Sequence, residues 1–565
     1  MRMGMIHHLV FVLVAVLFTL FAWLGGGVVA KWLAPWAPWL TLLLAECALV
    51  LPEQRPGEAL DAARVRVWRG IVRDPLTWVA AALMLFLTLQ WLNACLCLEW
   101  NAAAQQWRVV SPAFEWLYPA NLGQWLAVRP EAPQEAAAWP VLGTQPVKWL
   151  PWSLRADEAR GVLNWFGPVL AAVLAVRHAL GRRSKRGLAA FICLMSAVLA
   201  IAGIVQFAVG GEFLYWGMKS RAFFFATFGY PNHAAGYFAA VMAVSMGCGL
   251  WAMEHREEAR LPAWLFFGAA GLCAAGAVLS GSRAGMLFAL GIAAFCALFI
   301  PLRYAGSWPR ARRFGVLAAL AVGALAVFGT AAFRIHAATA NAARARALRS
   351  AVSLEARQAA LKLPEYHAIP ALDTVFLELA ETPWADYLAH PMLMRSGYQG
   401  ILALRQAAAY PWFGTGAWSF RWLNAHFIRP DSPEEQEWLK ARLSVGQANV
   451  HNDTLQFLAE HGWVGFGLML ACVALLLGPF LRLLWVSPAR VASDVQADRC
   501  WVNRLNVWLI FALLATTLLA AHSFIDLVFR SPACMLLYGL LFVCAEGFVP
   551  RARPLQPKTE GSAHA

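Results

Sequence analysis

The sequence predicts an all-α, polytopic integral membrane protein, and three observations predict it. Of 565 residues, 60% are hydrophobic and only 14% charged, with a mean hydropathy of +0.55, whereas a soluble domain carries about a quarter charged residues. Charge-free runs of about twenty residues recur, the length a helix needs to cross the hydrocarbon core. In lipid a single segment can satisfy its backbone hydrogen bonds only as a helix.

Twelve such helices follow in order, with both termini on the inner side. Runs near 5–24 and 28–51 flank Gly25-Gly26-Gly27, and the first, with no convincing cleavage site, is expected to be retained. Arg55, Arg64, Arg66, Arg69 and Arg73 come next and place that segment in the cytoplasm. A helix near 76–98 leads to an extracytoplasmic loop, about 99–158, punctuated by prolines including Pro112, Pro119 and Pro130. The helix near 160–178 returns to the basic cluster Arg177 to Arg186, so position 184 is expected inside. Helices near 188–209, 231–252, 262–280, 284–302 and 315–333 complete the first nine, which occupy 1–333.

A loop domain over 334–452 is too polar and too rich in proline to span a bilayer, so position 400 is expected outside. Its stretch 336–363, with Arg344, Arg346, Arg349 and Arg357, reads as an amphipathic surface helix, and Arg395 to Ala409 as a second helix ending before Tyr410-Pro411. Helices near 453–481, 505–521 and 533–549 fill 453–549, and 550–565 is a cytoplasmic tail.

The net charge of +14 is dispersed in short clusters between apolar runs, which sets topology rather than marking a nucleic-acid partner. Eleven cysteines lie almost all in apolar runs with neither a disulfide framework nor zinc spacing. The twenty-eight tryptophans suit interfacial belts contacting membrane lipids.

Three outer-face stretches could carry chemistry. In Arg221 to His233, Pro231 suits the first turn of a helix whose N-terminus attracts anions, with Asn232 beside it; an arginine there is either a diphosphate clamp or an ordinary interfacial residue. In Ser280-Gly281-Ser282-Arg283-Ala284-Gly285, Arg283 sits in a short turn between apolar helices, as a functional charge or as a side chain snorkelling to headgroups. In His451 to Gly465, helical spacing puts His451, Leu455, Leu458 and Gly462 on one stripe and Asn452, Gln456 and Glu460 on another. A neutral imidazole at that mouth can take a proton from a hydroxyl or serve as a structural hydrogen-bonder. Gly462, Gly465 and Gly467 suit close helix approach. His522 and Asp526, four apart, read as an oriented imidazole or, preferably, a helix-end salt bridge.

His451-Asn452, followed nine residues later by Gly462 and two later by Gly465, is similar to the histidine motif of bacterial O-antigen ligases. Gly229-Tyr230-Pro231-Asn232-His233, Ser282-Arg283-Ala284-Gly285 and Phe413-Gly414-Thr415-Gly416 occur in the order that superfamily shows. Over roughly 190–545 the chain resembles the O-antigen ligase/polymerase superfamily, the WaaL/Wzy-type membrane glycosyltransferases.

The resemblance implies a GT-C-like fold and a metal-independent, cofactor-free inverting transfer at the periplasmic face of the inner membrane. The donor would be an undecaprenyl-diphosphate-linked glycan and the acceptor a hydroxyl, foremost that of lipid A core. Carried over, Arg221 and Arg283 hold the donor diphosphate and His451 activates the acceptor, with Asn232, Asn452, His522 and Asp526 as possible supports. A polysaccharide polymerase and an O-linking protein oligosaccharyltransferase share that chemistry. A transporter would want ionisable residues near the bilayer midplane, and here the basic residues cluster at the mouths. The long 99–158 loop and the unmatched 336–363 stretch depart from the family's pattern.

Overall fold

The computed structural model describes residues 8–24, 26, 36–101, 106–110, 149–209, 225–304, 395–423, 449–491 and 505–549. It is mostly helical. The helices are α1 (Leu9–Trp23), α2 (Ala37–Val50), α3 (Leu60–Arg73), α4 (Pro75–Leu92), α5 (Ala156–Ala179), α6 (Arg182–Val209), α7 (Pro231–Glu254), α8 (Ala263–Leu279) and α9 (Arg283–Tyr304). They continue with α10 (Arg395–Ala409), α11 (Phe420–Leu423), α12 (Asp453–Val491), α13 (Val507–Ser523) and α14 (Pro532–Cys544), with 3-10 turns at Val528–Arg530 and Ala545–Gly547.

Among the described residues six helices are long and apolar enough to cross a membrane, namely α4, α5, α6, α7, α9 and α12, and five shorter apolar helices accompany them. All fall where the charge-free runs predict a helix. The run near 315–333, the 336–363 stretch, the tail and most of the 99–158 loop lie outside the described residues.

One expectation is corrected. The helix predicted over 76–98 stops at Leu92, and Ala94–Asn101 is a strand, β1. It pairs antiparallel with β2 (Gln106–Val110) and parallel with β3 (Ser153–Arg155), in the order β2-β1-β3. Asn93 closes α4 and donates from Nδ2 to the Pro151 carbonyl, 3.2 Å. The two ends of the predicted outer loop are thereby brought together, and an apolar stretch read as helix becomes sheet because its backbone finds partners outside itself.

The helix α7 runs through the middle of the bundle, with nearly all its side chains buried. Its small residues admit neighbours closely: a Cβ on Gly247 would stand 2.8 Å from the Phe511 Cβ of α13, the device by which membrane helices gain packing contacts. Aromatic side chains fill the centre, with Phe228, Tyr237 and Phe238 in edge and tilted contacts.

Side-chain contacts define two ends of the bundle. One carries Asp74, bonded to Arg177 (2.6 Å) and His178 (2.9 Å), together with Lys185–Glu546 (2.5 Å) and Arg303–Glu254 (2.7 Å). The amphipathic α3 lies there. The opposite end gathers the first turns of α7, α9, α12 and α14 and the last turn of α13. Exposed tryptophans mark both ends, Trp68, Trp78 and Trp264 at the first, Trp36, Trp412 and Trp463 at the second, as amphipathic rings do at membrane boundaries.

Candidate active site

His451 precedes α12 with φ of 56°. It therefore leaves the helical stripe that spacing suggested, while Asn452 becomes the cap, its Oδ1 accepting from Leu455 N at 3.0 Å. The Asn452 Nδ2 donates to the Phe524 carbonyl at 3.0 Å, tying the start of α12 to the turn after α13. That left-handed turn swings the imidazole away from the helix and onto Asp526.

The His451 Nδ1 lies 3.1 Å from Asp526 Oδ1. Asp526 also accepts from the Tyr230 hydroxyl at 2.9 Å and from the Asn232 amide, which in turn donates to the Tyr230 oxygen at 3.1 Å. Burial pushes the Asp526 carboxyl upward, but the hydrogen bond and charge of His451, the Leu527 N–H and the Tyr230 hydroxyl outweigh it and hold the group at about 2. Asp526 is thus a carboxylate at neutral pH. A neutral His451 must then carry its proton on Nδ1, which leaves the lone pair of Nε2 with no protein partner among the described residues.

The backbone around this pair is pinned. Asp453 N donates to the Asp526 carbonyl at 3.3 Å, and Asp453 Oδ2 accepts from Phe529 N at 2.8 Å. On α7, where Pro231 occupies the first turn as expected, His233 Nε2 donates to the Leu527 carbonyl at 2.7 Å. Three segments separated widely in sequence, 230–233, 451–453 and 524–531 with the α13 end just before it, so form one polar cluster.

The sequence-predicted residues divide. Asn232, Asn452, Asp526 and His451 come together. His522 does not pair with Asp526: its ring is buried against Gly236 and Phe288, and among the described residues neither nitrogen has a hydrogen-bond partner. Arg283 opens α9 at the same end, its helix seated so tightly that a Cβ on Gly285 would lie 2.4 Å from the Ala235 Cβ, one turn along α7 from Asn232. Arg221 lies outside the described residues.

The glycines of the predicted motif act in a way that spacing did not suggest. Gly462, at φ 63° and ψ −173°, breaks α12 instead of smoothing its packing. The freed backbone groups bond to the 411–416 turn: Trp463 N to Pro411 O at 2.7 Å, Val464 N to Trp412 O at 3.1 Å and Gly416 N to Glu460 O at 2.6 Å. A Cβ on Gly414 would come within 2.4 Å of the Glu460 carbonyl. The Phe413-Gly414-Thr415-Gly416 and His451-to-Gly465 motifs are therefore two halves of one backbone joint. Gly465 does meet Phe86 of α4, and Gly467 meets nothing.

Sequence reasoning had Tyr230 inside a motif and Glu460 on a polar stripe but gave neither a role, and it missed Arg530. Arg530 bonds Glu460 (3.3 Å) and stacks on Trp418 at 3.6 Å. Its signal was available, since an arginine in the stretch ahead of a proline-initiated helix was singled out at Arg221 and Pro231 but not at Arg530 and Pro532, which are only two residues apart. No known protein-family model matches the chain, and no curated protein matches it.

Proposed function

We propose that the chain is a membrane glycosyltransferase that moves an undecaprenyl-diphosphate-linked glycan to an acceptor hydroxyl at the outer leaflet, with ligation of O-antigen to lipid A core as the leading assignment. The observation that carries the reading is the His451–Asp526 pair, an imidazole oriented by an ionised carboxylate at a membrane-facing end of the bundle. His451 Nε2 takes the proton of the acceptor hydroxyl as its oxygen forms the new bond to the anomeric carbon, and the bond from that carbon to the diphosphate oxygen breaks. Undecaprenyl diphosphate leaves with the electron pair, and Asp526 stabilises the imidazolium that results.

Charge grows on the leaving diphosphate, so cationic groups fixed at that place stabilise the transition state beyond the ground state. Arg283, Arg221 and the first turns of α7 and α9 fill that role in this reading, because helix N-termini attract anions. The active site faces the periplasm, the ion-paired end with its arginines faces the cytoplasm, and the helices complete twelve spans in a GT-C-like arrangement.

Deletion of the gene followed by a gel of surface polysaccharide tests the assignment. Loss of a ligase leaves core without long chains and accumulates lipid-linked polymer; loss of a polymerase leaves core bearing a single repeat; loss of a protein glycosylator changes neither. Orientation is tested by cysteine labelling from outside. Gly400 and Ser184 are both buried, so the probes belong at the exposed Ala409 and Glu257. With Cys95, Cys97 and Cys500 replaced by serine and the other eight cysteines buried, Ala409→Cys is expected to label and Glu257→Cys to stay silent.

A further inference from the structure

We infer that Glu460 is a positioning residue that sets the separation of His451 and Asp526 by holding, with one carboxylate, the two segments that carry them. The inference rests on the reading of those two residues as the reacting pair. Glu460 Oε1 accepts from Gln456 Nε2 at 2.7 Å, and Gln456 Oε1 accepts from Val450 N at 3.0 Å, the residue directly before His451. On its other side the same carboxylate accepts from Arg530 Nη2, 3.3 Å to each oxygen. Arg530 lies in the short turn that begins at Asp526, and its guanidinium is fixed over the Trp418 ring.

The Glu460 backbone is equally constrained. Its carbonyl accepts from Gly416 N at 2.6 Å, next to the break at Gly462, so the residue cannot slide along α12. The side chains of the pair are 13% and 5% exposed, Arg530 and Glu460 respectively. Removal of either charge from so buried a site leaves the other uncompensated, and the segment that bears it must move. The consequence is geometric. With Gln456 released, Val450 loses the bond that holds it ahead of the left-handed His451; with Arg530 released, the turn from Asp526 loses its tie to Glu460, and Asn452–Phe524 and the contacts of Asp453 are left to hold the two segments together. Either motion opens the 3.1 Å contact on which the orientation of the imidazole depends.

The test uses the full-length protein in detergent, with Glu460→Gln, Arg530→Gln and the double variant, and Asp526→Asn as reference. His451 reactivity is read by mass spectrometry after treatment with diethyl pyrocarbonate, a readout that needs no donor or acceptor and so survives failure of the proposed reaction. Glu460→Gln is expected to raise His451 modification about threefold and to lower kcat about tenfold while KM stays within about twofold. Glu460→Asp, which keeps the charge, is expected to recover part of the loss. Should Glu460→Gln fold poorly, the double variant, with neither charge of the Glu460–Arg530 pair left, folds and shows a loss no larger than either single, since the two residues act as a unit. The inference is overturned if Glu460→Gln has wild-type His451 reactivity, if turnover per folded molecule is unchanged, or if the losses in the double variant multiply.

Discussion

The two ends of the helix bundle use the same residue types in opposite ways. At the end that holds Asp74, charges are closed against one another: Asp74 takes Arg177 and His178, Lys185 takes Glu546 and also the Arg177 carbonyl, and Arg303 takes Glu254. At the His451 end closure is incomplete. Among the described residues His451 has one nitrogen engaged, His522 has neither, and Arg530 Nη1 has no hydrogen-bond partner. A buried polar group without a partner costs about 1–3 kcal/mol, and the Asp74 end has such groups too, Thr77 Oγ1 and Trp251 Nε1, so the contrast lies in the charged and imidazole side chains. The comparison teaches that ion pairs at one end clamp helices, while His451 and Arg530 at the other are fixed through one nitrogen or by stacking and keep bonding capacity, which the proposed transfer would use.

The contrast can be broken at its strongest point. His451→Ala is expected to abolish transfer, a fall of about 10³-fold or more in kcat, with insertion and folding intact; full turnover in a purified assay would remove His451 as the base. Asp526→Asn should cost about 10²-fold in kcat, because the amide can present its N–H to Nδ1 and favour the wrong tautomer.

The same substitution sharpens the comparison through pH. The carboxyl of Asp526 sits at about 2 in the folded protein, against roughly 3.9 when unfolded. Its contribution to stability is therefore full above about pH 4 and lost as pH falls through about 2. Thermal melts between those values should decline more steeply for the wild type than for Asp526→Asn.

Smaller effects follow. Arg283→Lys is expected to lower kcat and kcat/KM about tenfold, since an ammonium cannot make the bidentate contact of a guanidinium with the leaving diphosphate; wild-type kinetics would mark a snorkelling side chain. At the opposite end, Asp74→Asn should destabilise the protein by about 3 kcal/mol in a melt, because it strands Arg177 in a mostly buried site. Turnover per folded molecule should stay within about twofold, and a larger loss would erase the distinction between the two ends.

Much of the helical frame was legible in the residues. Pro231 marks a helix start because a residue without an N–H suits a first turn. Arg395–Ala409 ends before Tyr410-Pro411 as its composition demands. The site was legible only in its membership. Asp526 was read against His522, four residues away on one face, yet its carboxylate belongs to a histidine 75 residues distant in sequence. Helical spacing describes neighbours along one helix, and α13 ends at Ser523, before Asp526 is reached.

By itself, the sequence determined which segments are apolar helices, because a charge-free run in lipid must close its own hydrogen bonds and needs no partner to do so. Only the tertiary structure decided where that rule lapses and which side chains meet. Ala94–Asn101 became a strand once β2 and β3 supplied partners, Gly462 could break α12 once the 411–416 turn took up the freed groups, and His451 faced Asp526 once Asn452 was bonded to Phe524. Each is a contact between segments far apart in the chain, whose free energy depends on three-dimensional placement and leaves no periodic trace in the sequence.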